Sequence, residues 1–329
     1  MMPPGGVALV FLVAAAACLA VGRPAIRALT RAQCLAPLRY EDCPPLLKYQ
    51  QGKPHTPTMG GLIVLGIGML VAAASGGLAQ RDGWLVLGAV LGMGAVGLWD
   101  DWLKFRQPNA VGLRSRPKLL IALAIGAGLG WANATGPAGA GALELPWMHR
   151  TMTLGWGGIP FAMLVVAGCA HAVNLTDGMD GLAAGCMAVA LAALGCWAVR
   201  EDPHSRALVL WCAALAGACV GFLWFNSFPA TVYLGDVGAL GLGAALGAIS
   251  LLTRTALWLV IIGGVFVVEA LSVMLQVASY KWRGQRRIFR VAPLHHHFHL
   301  GGISEPKLIV RFWIVGVMLA ILSLTAALP

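Results

Sequence analysis

Acidic side chains are scarce in this chain. Its 329 residues hold 13 Asp plus Glu against 23 Lys plus Arg, for a formal charge of +10. Only 11% of residues are charged, against roughly 25% in an average soluble domain. That is too little charge to clothe a soluble surface, and it points to a polytopic membrane protein. CxxC pairs are also absent, so the eight cysteines indicate neither zinc nor a redox motif; they read as small apolar filler. Strand-like alternation is missing, which argues against a β-barrel. No GxxxxGK[ST] loop occurs, so no P-loop is expected. No stretch between apolar segments is long enough for a soluble domain, and residues 1–329 read as a single integral membrane domain.

What is present is apolar and rich in glycine: 59% hydrophobic residues and 43 Gly, a composition that suits close helix approach in lipid. Ten apolar segments approach the length a membrane helix needs: 5–22, 59–79, 84–99, 118–135, 158–174, 181–199, 206–225, 237–253, 255–279 and 308–328. The expected fold is an all-α polytopic membrane protein with about ten transmembrane helices. The first segment has no basic residues before it and several after it. That is the pattern of a first membrane helix starting outside rather than of a signal peptide.

The basic residues are unevenly shared between the two sets of loops. Eighteen fall after the first, third and ninth segments, and five fall on the other side. This asymmetry puts the odd-numbered connections in the cytoplasm and both termini outside, in the periplasmic or extracellular space. Topology and anionic lipid account for the positive charge, so no nucleic-acid partner is implied.

Five of the rare carboxylates then fall on that cytoplasmic face: Asp100 and Asp101 after the third segment, Asp177 and Asp180 after the fifth, and Asp236 after the seventh. Charge near a span is costly, on the order of 2.5–3.5 kcal/mol at the bilayer centre, so its repetition at one face implies a shared polar site. Asp100 and Asp101 are adjacent, point about 100° apart on a helix, and are expected to take two roles rather than one contact. Asn174, Asp177 and Asp180 are spaced i, i+3, i+6 and would share a helix face; N-capping is the other reading for an acid there. Asp236 lies beside a loop without Lys or Arg. Its carboxylate is expected to need a cation, for which Mg2+ is suited because it takes one or two carboxylates plus substrate phosphates.

Three further features stand out. Lys53, on a stiff Pro-rich loop ahead of Gly60 and Gly61, is a candidate anion contact. The run His295, His296, His297 offers imidazoles to phosphates or sugar hydroxyls, since adjacent histidines make poor zinc ligands. Glu269 lies inside the ninth segment, where hydrogen bonding to Ser272 or Gln276 is the expected compensation.

Taken together, TPTMGG at 56–61, NLTDGMDGLA at 174–183, FLWFN at 222–226, GDVG at 235–238 and PLHHHF at 293–298 resemble the polyprenyl-phosphate N-acetylhexosamine-1-phosphate transferase superfamily. EPKLIVRFW at 305–313 is similar to the phospho-N-acetylmuramoyl-pentapeptide transferase branch. His55, His299 and Tyr233 depart from the usual pattern. The resemblance implies an Mg2+-dependent enzyme of the bacterial cytoplasmic (inner) membrane. It would move phospho-N-acetylmuramoyl-pentapeptide from its UDP-linked donor to undecaprenyl phosphate, release UMP and form lipid I. It implies Asp100, Asp101 and Asp236 as catalytic, with Asp236 holding the metal. Lys53, Asn174, Asp177, Asp180 and Tyr233 would shape the uridine-diphosphate pocket, with Thr58 and Asn226 as further substrate contacts. His295, His296 and His297 would face the diphosphate or sugar, and the family implies a homodimer. A sister enzyme using N-acetylglucosamine-1-phosphate is the near alternative. A carboxylate-lined transporter is the distant one, and it would need charges spread through the bilayer depth.

Overall fold

The computed structural model describes residues 4–35, 47, 56–106, 112–136, 142–148, 150–201 and 206–325. Its helices are α1 (Pro4–Arg31), α2 (Gly61–Ala74), α3 (Arg81–Arg106), α4 (Ser115–Ala134), α5 (Gly158–Thr176), α6 (Leu182–Glu201) and α7 (Arg206–Asn226). They continue with α8 (Gly235–Leu252), α9 (Leu259–Ile262), α10 (Gly264–Trp282), α11 (Leu294–His299) and α12 (Glu305–Thr325). Among the described residues nine of these are long and apolar enough to cross a membrane, and α2 is a shorter apolar helix. Nine of the ten apolar segments coincide with one helix each, and the ninth is divided between α9 and α10. The class is therefore all-α and polytopic.

The differences from expectation have local causes. α1 runs on to Arg31, through Pro24; at about 1.5 Å per residue it outruns a 30 Å hydrocarbon core. The ninth segment is interrupted at Gly263, which separates α9 from α10. A short antiparallel hairpin, β1 (Ala142–Leu145) paired with β2 (Arg150–Thr153), lies between α4 and α5. Sequence alternation did not reveal it because each strand is four residues long. It closes the end of the bundle remote from the acids: Glu144 donates its N–H to Arg254 O, and Trp147 packs edge-on to Trp258 at 5.1 Å.

α8 is the axis of the bundle. It is 94% buried, against 22–44% for α1, α3, α4, α5, α10 and α12. Small residues make that possible, because without a water-driven hydrophobic effect helices in lipid associate by close packing. A Cβ placed on Gly61 would lie 2.2 Å from the Gly238 backbone, and one on Gly97 2.3 Å from Asp236 O. A Cβ on Gly243 would lie 2.6 Å from Ala170 Cα, and one on Gly247 3.2 Å from Val166 Cα. The last two contacts fix an antiparallel register: four residues along α8 match four along α5. Continued by one turn or two, it sets Asn174 and Asp177 at the height of Ala239 and Asp236.

Gly61→Ala should lower stability by about 1–3 kcal/mol, the usual cost of overpacking. Gly66→Ala on the same helix meets nothing within 4 Å and should be neutral or slightly stabilising. Thermal unfolding of both variants in one detergent makes the comparison.

Candidate active site

The last turns of α3 read Trp99-Asp100-Asp101-Trp102. The tryptophans are exposed on the outside of the bundle, while the two carboxylates turn inward and are 0% and 2% exposed. Gly97, one turn earlier, lets the start of α8 lie directly on α3. Asp236, 5% exposed, thereby sits beside both acids. One oxygen from each of Asp100, Asp101 and Asp236 falls within 4.8 Å of the others. Asp100 and Asp101 make different contacts at this one locus: Asp100 meets the Leu113 N–H and the lysines, and Asp101 meets the Val237 N–H at the start of α8.

The cations that balance this cluster come from elsewhere in the chain. Lys118, in the first turn of α4, stands 2.8 Å from Asp236 Oδ2 and 2.9 Å from Asp100 Oδ1. Lys104 pairs with Asp100 one turn along α3 and approaches Asp236 at 3.2 Å. The reading of Asp236 as a carboxylate without a neutralising lysine is thus corrected; its own loop has none, but the third and fourth spans supply two. Three carboxylates against two ammonium groups leave an excess of negative charge in a buried site. Carboxylates this close ionise together only where cations sit among them, so the cluster can hold a metal ion as well as the lysines.

Backbone geometry holds the acids in place. Asp101 accepts the Val237 N–H at 3.0 Å, satisfying a first-turn donor that α8 cannot satisfy itself. Asp100 accepts the Leu113 N–H, and the loop bends there at Gly112, with φ +74° and no room for a Cβ beside Asp100. The 56–61 motif pairs with the start of α8: Gly60 and Gly61 donate to Tyr233 O and Leu234 O at 2.8 and 2.7 Å, and Tyr233 donates back to Pro57 O. Thr58 is buried against Gly235, and Tyr233 is half-buried on the same ladder. Lys53 and His55 lie outside the described residues.

The 174–183 motif is not one helical face, and that expectation is corrected. α5 ends at Thr176, residues 177–181 turn, with Gly181 at φ +76°, and α6 starts at Leu182. Asn174 and Asp177 are half-buried at the α5 terminus. Asp180 points into protein: its carboxylate accepts the Ala230 N–H at 2.9 Å, and its own N–H donates to Glu305 Oε1 at 3.0 Å. Asn226, 2% exposed, donates its side-chain N–H to Val232 O. These bonds make 226–234 a stiff bridge from α7 to α8.

The histidines divide. His295 and His296 are buried with rings 4.2 Å apart. His297 is half-buried and its Nδ1 accepts the Arg290 N–H. A Cβ on Gly178 would lie 2.3 Å from His295 Nε2, so α11 rests on the 177–181 turn. Glu269 does not bond through its carboxylate to Ser272 or Gln276 as expected. Ser272 Oγ donates to the Glu269 main-chain carbonyl, Gln276 holds the 288–289 backbone, and the carboxylate meets His295 instead. His171, not singled out by the sequence, is half-buried on α5 and close enough to Lys118 and Asp236 to feel both charges. Its signal was a histidine one turn before Asn174 in an otherwise apolar span.

The span ends thus gather acids, lysines and backbone donors at one locus. A sequence profile of glycosyl transferase family 4 matches residues 83–254, and the chain is accordingly a multi-pass membrane phosphoglycosyl transferase. The phospho-N-acetylmuramoyl-pentapeptide-transferase of Citrifermentans bemidjiense is 45% identical over 287 residues, 83% of this chain and 80% of its own. That of Thermodesulfovibrio yellowstonii is 43% identical over 83% of this chain and 80% of its own. The one from Methylacidiphilum infernorum is 40% identical over 328 residues, 94% of this chain and 89% of its own. At this identity and coverage the chain belongs to the phospho-N-acetylmuramoyl-pentapeptide-transferase family.

Asp180→Ala should cost about 1.5–3 kcal/mol, the usual worth of a hydrogen bond to a charged group. The expected readout is a lower unfolding temperature without substrate. An unchanged temperature would return Asp180 to a purely substrate-binding role.

Proposed function

We propose that the chain transfers phospho-N-acetylmuramoyl-pentapeptide from UDP to undecaprenyl phosphate, yielding lipid I and UMP, at the cytoplasmic face of the bacterial inner membrane. The observation that carries this reading is the buried Asp100–Asp101–Asp236 cluster with Lys104 and Lys118 at the meeting of the span ends. One substrate is a water-soluble anion, and the other is a lipid with its phosphate at the interface. Only a site at a membrane surface reaches both, and the loop charges put that surface in the cytoplasm. A single domain over residues 1–329 serves the reaction, as a homodimer in this reading.

An oxygen of the lipid phosphate attacks the β-phosphorus of the donor. The bond from that phosphorus to the bridging oxygen breaks, and UMP leaves with the bridging oxygen. A phosphate monoester is already largely ionised near pH 7, so direct attack needs no phosphoryl-enzyme. Asp100, whose two oxygens face the lysine ammonium groups, orients the acceptor phosphate and takes its remaining proton. Asp101, bonded to Val237 N–H, keeps Asp236 at the same locus. Lys104 and Lys118 attract and align the phosphates as point charges. Asp236, with Asp100 and Asp101 beside it, would hold Mg2+. These are hard oxygen donors of the kind that ion takes, and one oxygen of each lies within 4.8 Å of the others. When bound, the ion neutralises the diphosphate and stabilises the departing UMP. Thr58, Asn174, Asp177 and Tyr233 line the uridine-diphosphate side, with Tyr233 stacking on uracil; the family resemblance adds Lys53, outside the described residues, as a further contact there. Asp180 and Asn226 support that side by fixing its backbone.

The test is UMP release from purified protein given undecaprenyl phosphate and either UDP-N-acetylmuramoyl-pentapeptide or UDP-N-acetylglucosamine. Turnover is expected with the first donor; turnover with the second alone would move the chain to the sister activity. Asp236→Asn should reduce turnover by about a hundred- to a thousandfold, the scale of losing one transition-state electrostatic contact, and weaken the response to Mg2+. Near-normal activity would remove Asp236 from the metal site. Flux across vesicles without UMP release would favour the transporter.

A further inference from the structure

The outer side of the bundle carries a cleft that the transfer chemistry leaves without a task. α9 packs against α12, and the helix breaks at Gly263. α10 still touches α12 at its start, where a Cβ on Gly264 would lie 2.7 Å from Leu319 Cδ1. It then turns away to pack on α5, and a cavity of about 260 Å³ opens between α10 and α12. Val268 lines one wall, Phe312, Val315 and Leu319 the other, and Phe298 and Ile303 the end nearest the start of α12. Val268 and Val315 are exposed at the rim. The cavity has room for roughly nine groups the size of a water molecule, a stretch of one lipid chain.

Arg311 is the one polar side chain among the described residues that line it. It is exposed and lies about 9 Å along α12 from Glu305, inside a helix long and apolar enough to cross a membrane. A guanidinium so placed is costly unless an anion meets it. Among the described residues no carboxylate pairs with it and no hydrogen bond holds it. Glu305 faces the other way, buried on the Asp180 N–H. Lys307, one turn nearer the helix start on the same face as Arg311, is exposed and likewise unpaired. Like charges at i, i+4 repel, and an anion between them turns that repulsion into a clamp.

We propose that this cleft binds an anionic phospholipid of the cytoplasmic leaflet, with one acyl chain between α10 and α12 and the phosphate held by Lys307 and Arg311. Each part of such a lipid meets its chemical counterpart. The apolar walls take a chain, while the guanidinium fork and the ammonium point charge take phosphate oxygens. Basic pockets between membrane helices on the cytoplasmic side bind headgroups of this kind. The position of the cleft argues against the acceptor substrate as its occupant. Asp100, Asp101 and Asp236 stand on α3 and α8, whereas α10 and α12 pack on α5 and α6. The cleft is thus a separate site for a lipid that is not consumed. Phe298, at its end, belongs to α11, whose His295 rests on Gly178 of the 177–181 turn. A chain in the cleft therefore adds packing to the helix that covers that turn. Binding here depends on the membrane topology and not on the transferase reading.

The experiment is native mass spectrometry of the full-length protein in a neutral detergent, titrated with dioleoyl phosphatidylglycerol or dioleoyl phosphatidylcholine. One phosphatidylglycerol per chain should be retained at least about tenfold more tightly than phosphatidylcholine. Lys307→Gln combined with Arg311→Gln should weaken it by roughly thirtyfold, the effect of two basic side chains near a lipid surface. Lys307→Arg combined with Arg311→Lys keeps both charges and should retain the lipid, which separates lost charge from lost fold. Val268→Trp fills the cleft from an exposed position and should remove the tight adduct with both charges intact. Arg286→Gln combined with Arg287→Gln, at exposed positions outside the cleft, should leave the affinity unchanged. Equal retention of the two lipids, a tight adduct that survives the Gln pair or Val268→Trp, or an equal loss in the Arg286 and Arg287 variant would overturn the proposal. So would displacement of phosphatidylglycerol by equimolar undecaprenyl phosphate, which would make the cleft the acceptor's own site.

Discussion

Three carboxylates within a few ångströms of each other, buried at one end of an apolar helix bundle, repel one another strongly in a medium that screens poorly. The bundle is arranged around compensating that repulsion. Lys104 and Lys118 come from two different helices to place their ammonium groups among Asp100 and Asp236. Asp101 is stabilised differently, by a backbone N–H at the start of α8, where the helix dipole also favours negative charge. Each acid therefore depends on a helix other than its own. Any shift of α3, α4 or α8 relative to the others would leave a buried charge without its partner, which is far costlier than losing an exposed ion pair.

That dependence explains the crowding of glycine around α8. Gly61, Gly97, Gly238 and Gly243 each bring backbones into direct contact at the level of the acids or just below them. The close approach lets the 56–61 segment exchange backbone hydrogen bonds with residues 233 and 234, a strand-like pairing at the mouth of a helical bundle. Packing at α8 and charge compensation at its terminus are thus one arrangement seen at two levels. The glycines set the interhelical distance, and the distance decides which side chains meet.

Much of this was legible in the sequence, and what was not has identifiable causes. The ten apolar segments showed themselves because lipid demands long uninterrupted hydrophobic runs. The acids showed themselves because so few interrupt those runs. Lys118 was counted only as a topological charge, since nothing in a linear sequence tells a loop lysine from one that folds back onto an acid 118 residues away. The i, i+3, i+6 spacing of Asn174, Asp177 and Asp180 looked helical because spacing carries no information about a turn between them. Gly178 and Gly181 were the available warning, and Gly181 does adopt a left-handed conformation. For Glu269 the local rule of i+3 and i+4 partners failed for a physical reason: a fully buried carboxylate takes the donors that reach it in space, and those came from α11.

The two polar clusters are also mechanically one. From the Asp236 side, Tyr233 and Leu234 are tied to the 56–61 segment. From the other side, Asp180 holds the backbone of Ala230 while Glu305 holds that of Asp180. Asn226 closes the intervening loop on Val232. The backbone of residues 226–234 is therefore clamped at both ends and in the middle. Such rigidity suits a reaction that needs two phosphates brought into line, because the orientation is set before either substrate binds and little ordering remains to oppose the transfer. It also gives Glu305, at the head of α12, a part in the site although it lies on the far side of the 177–181 turn from the acidic cluster. Through Asp180 it fixes the same short loop that carries the backbone toward Asp236.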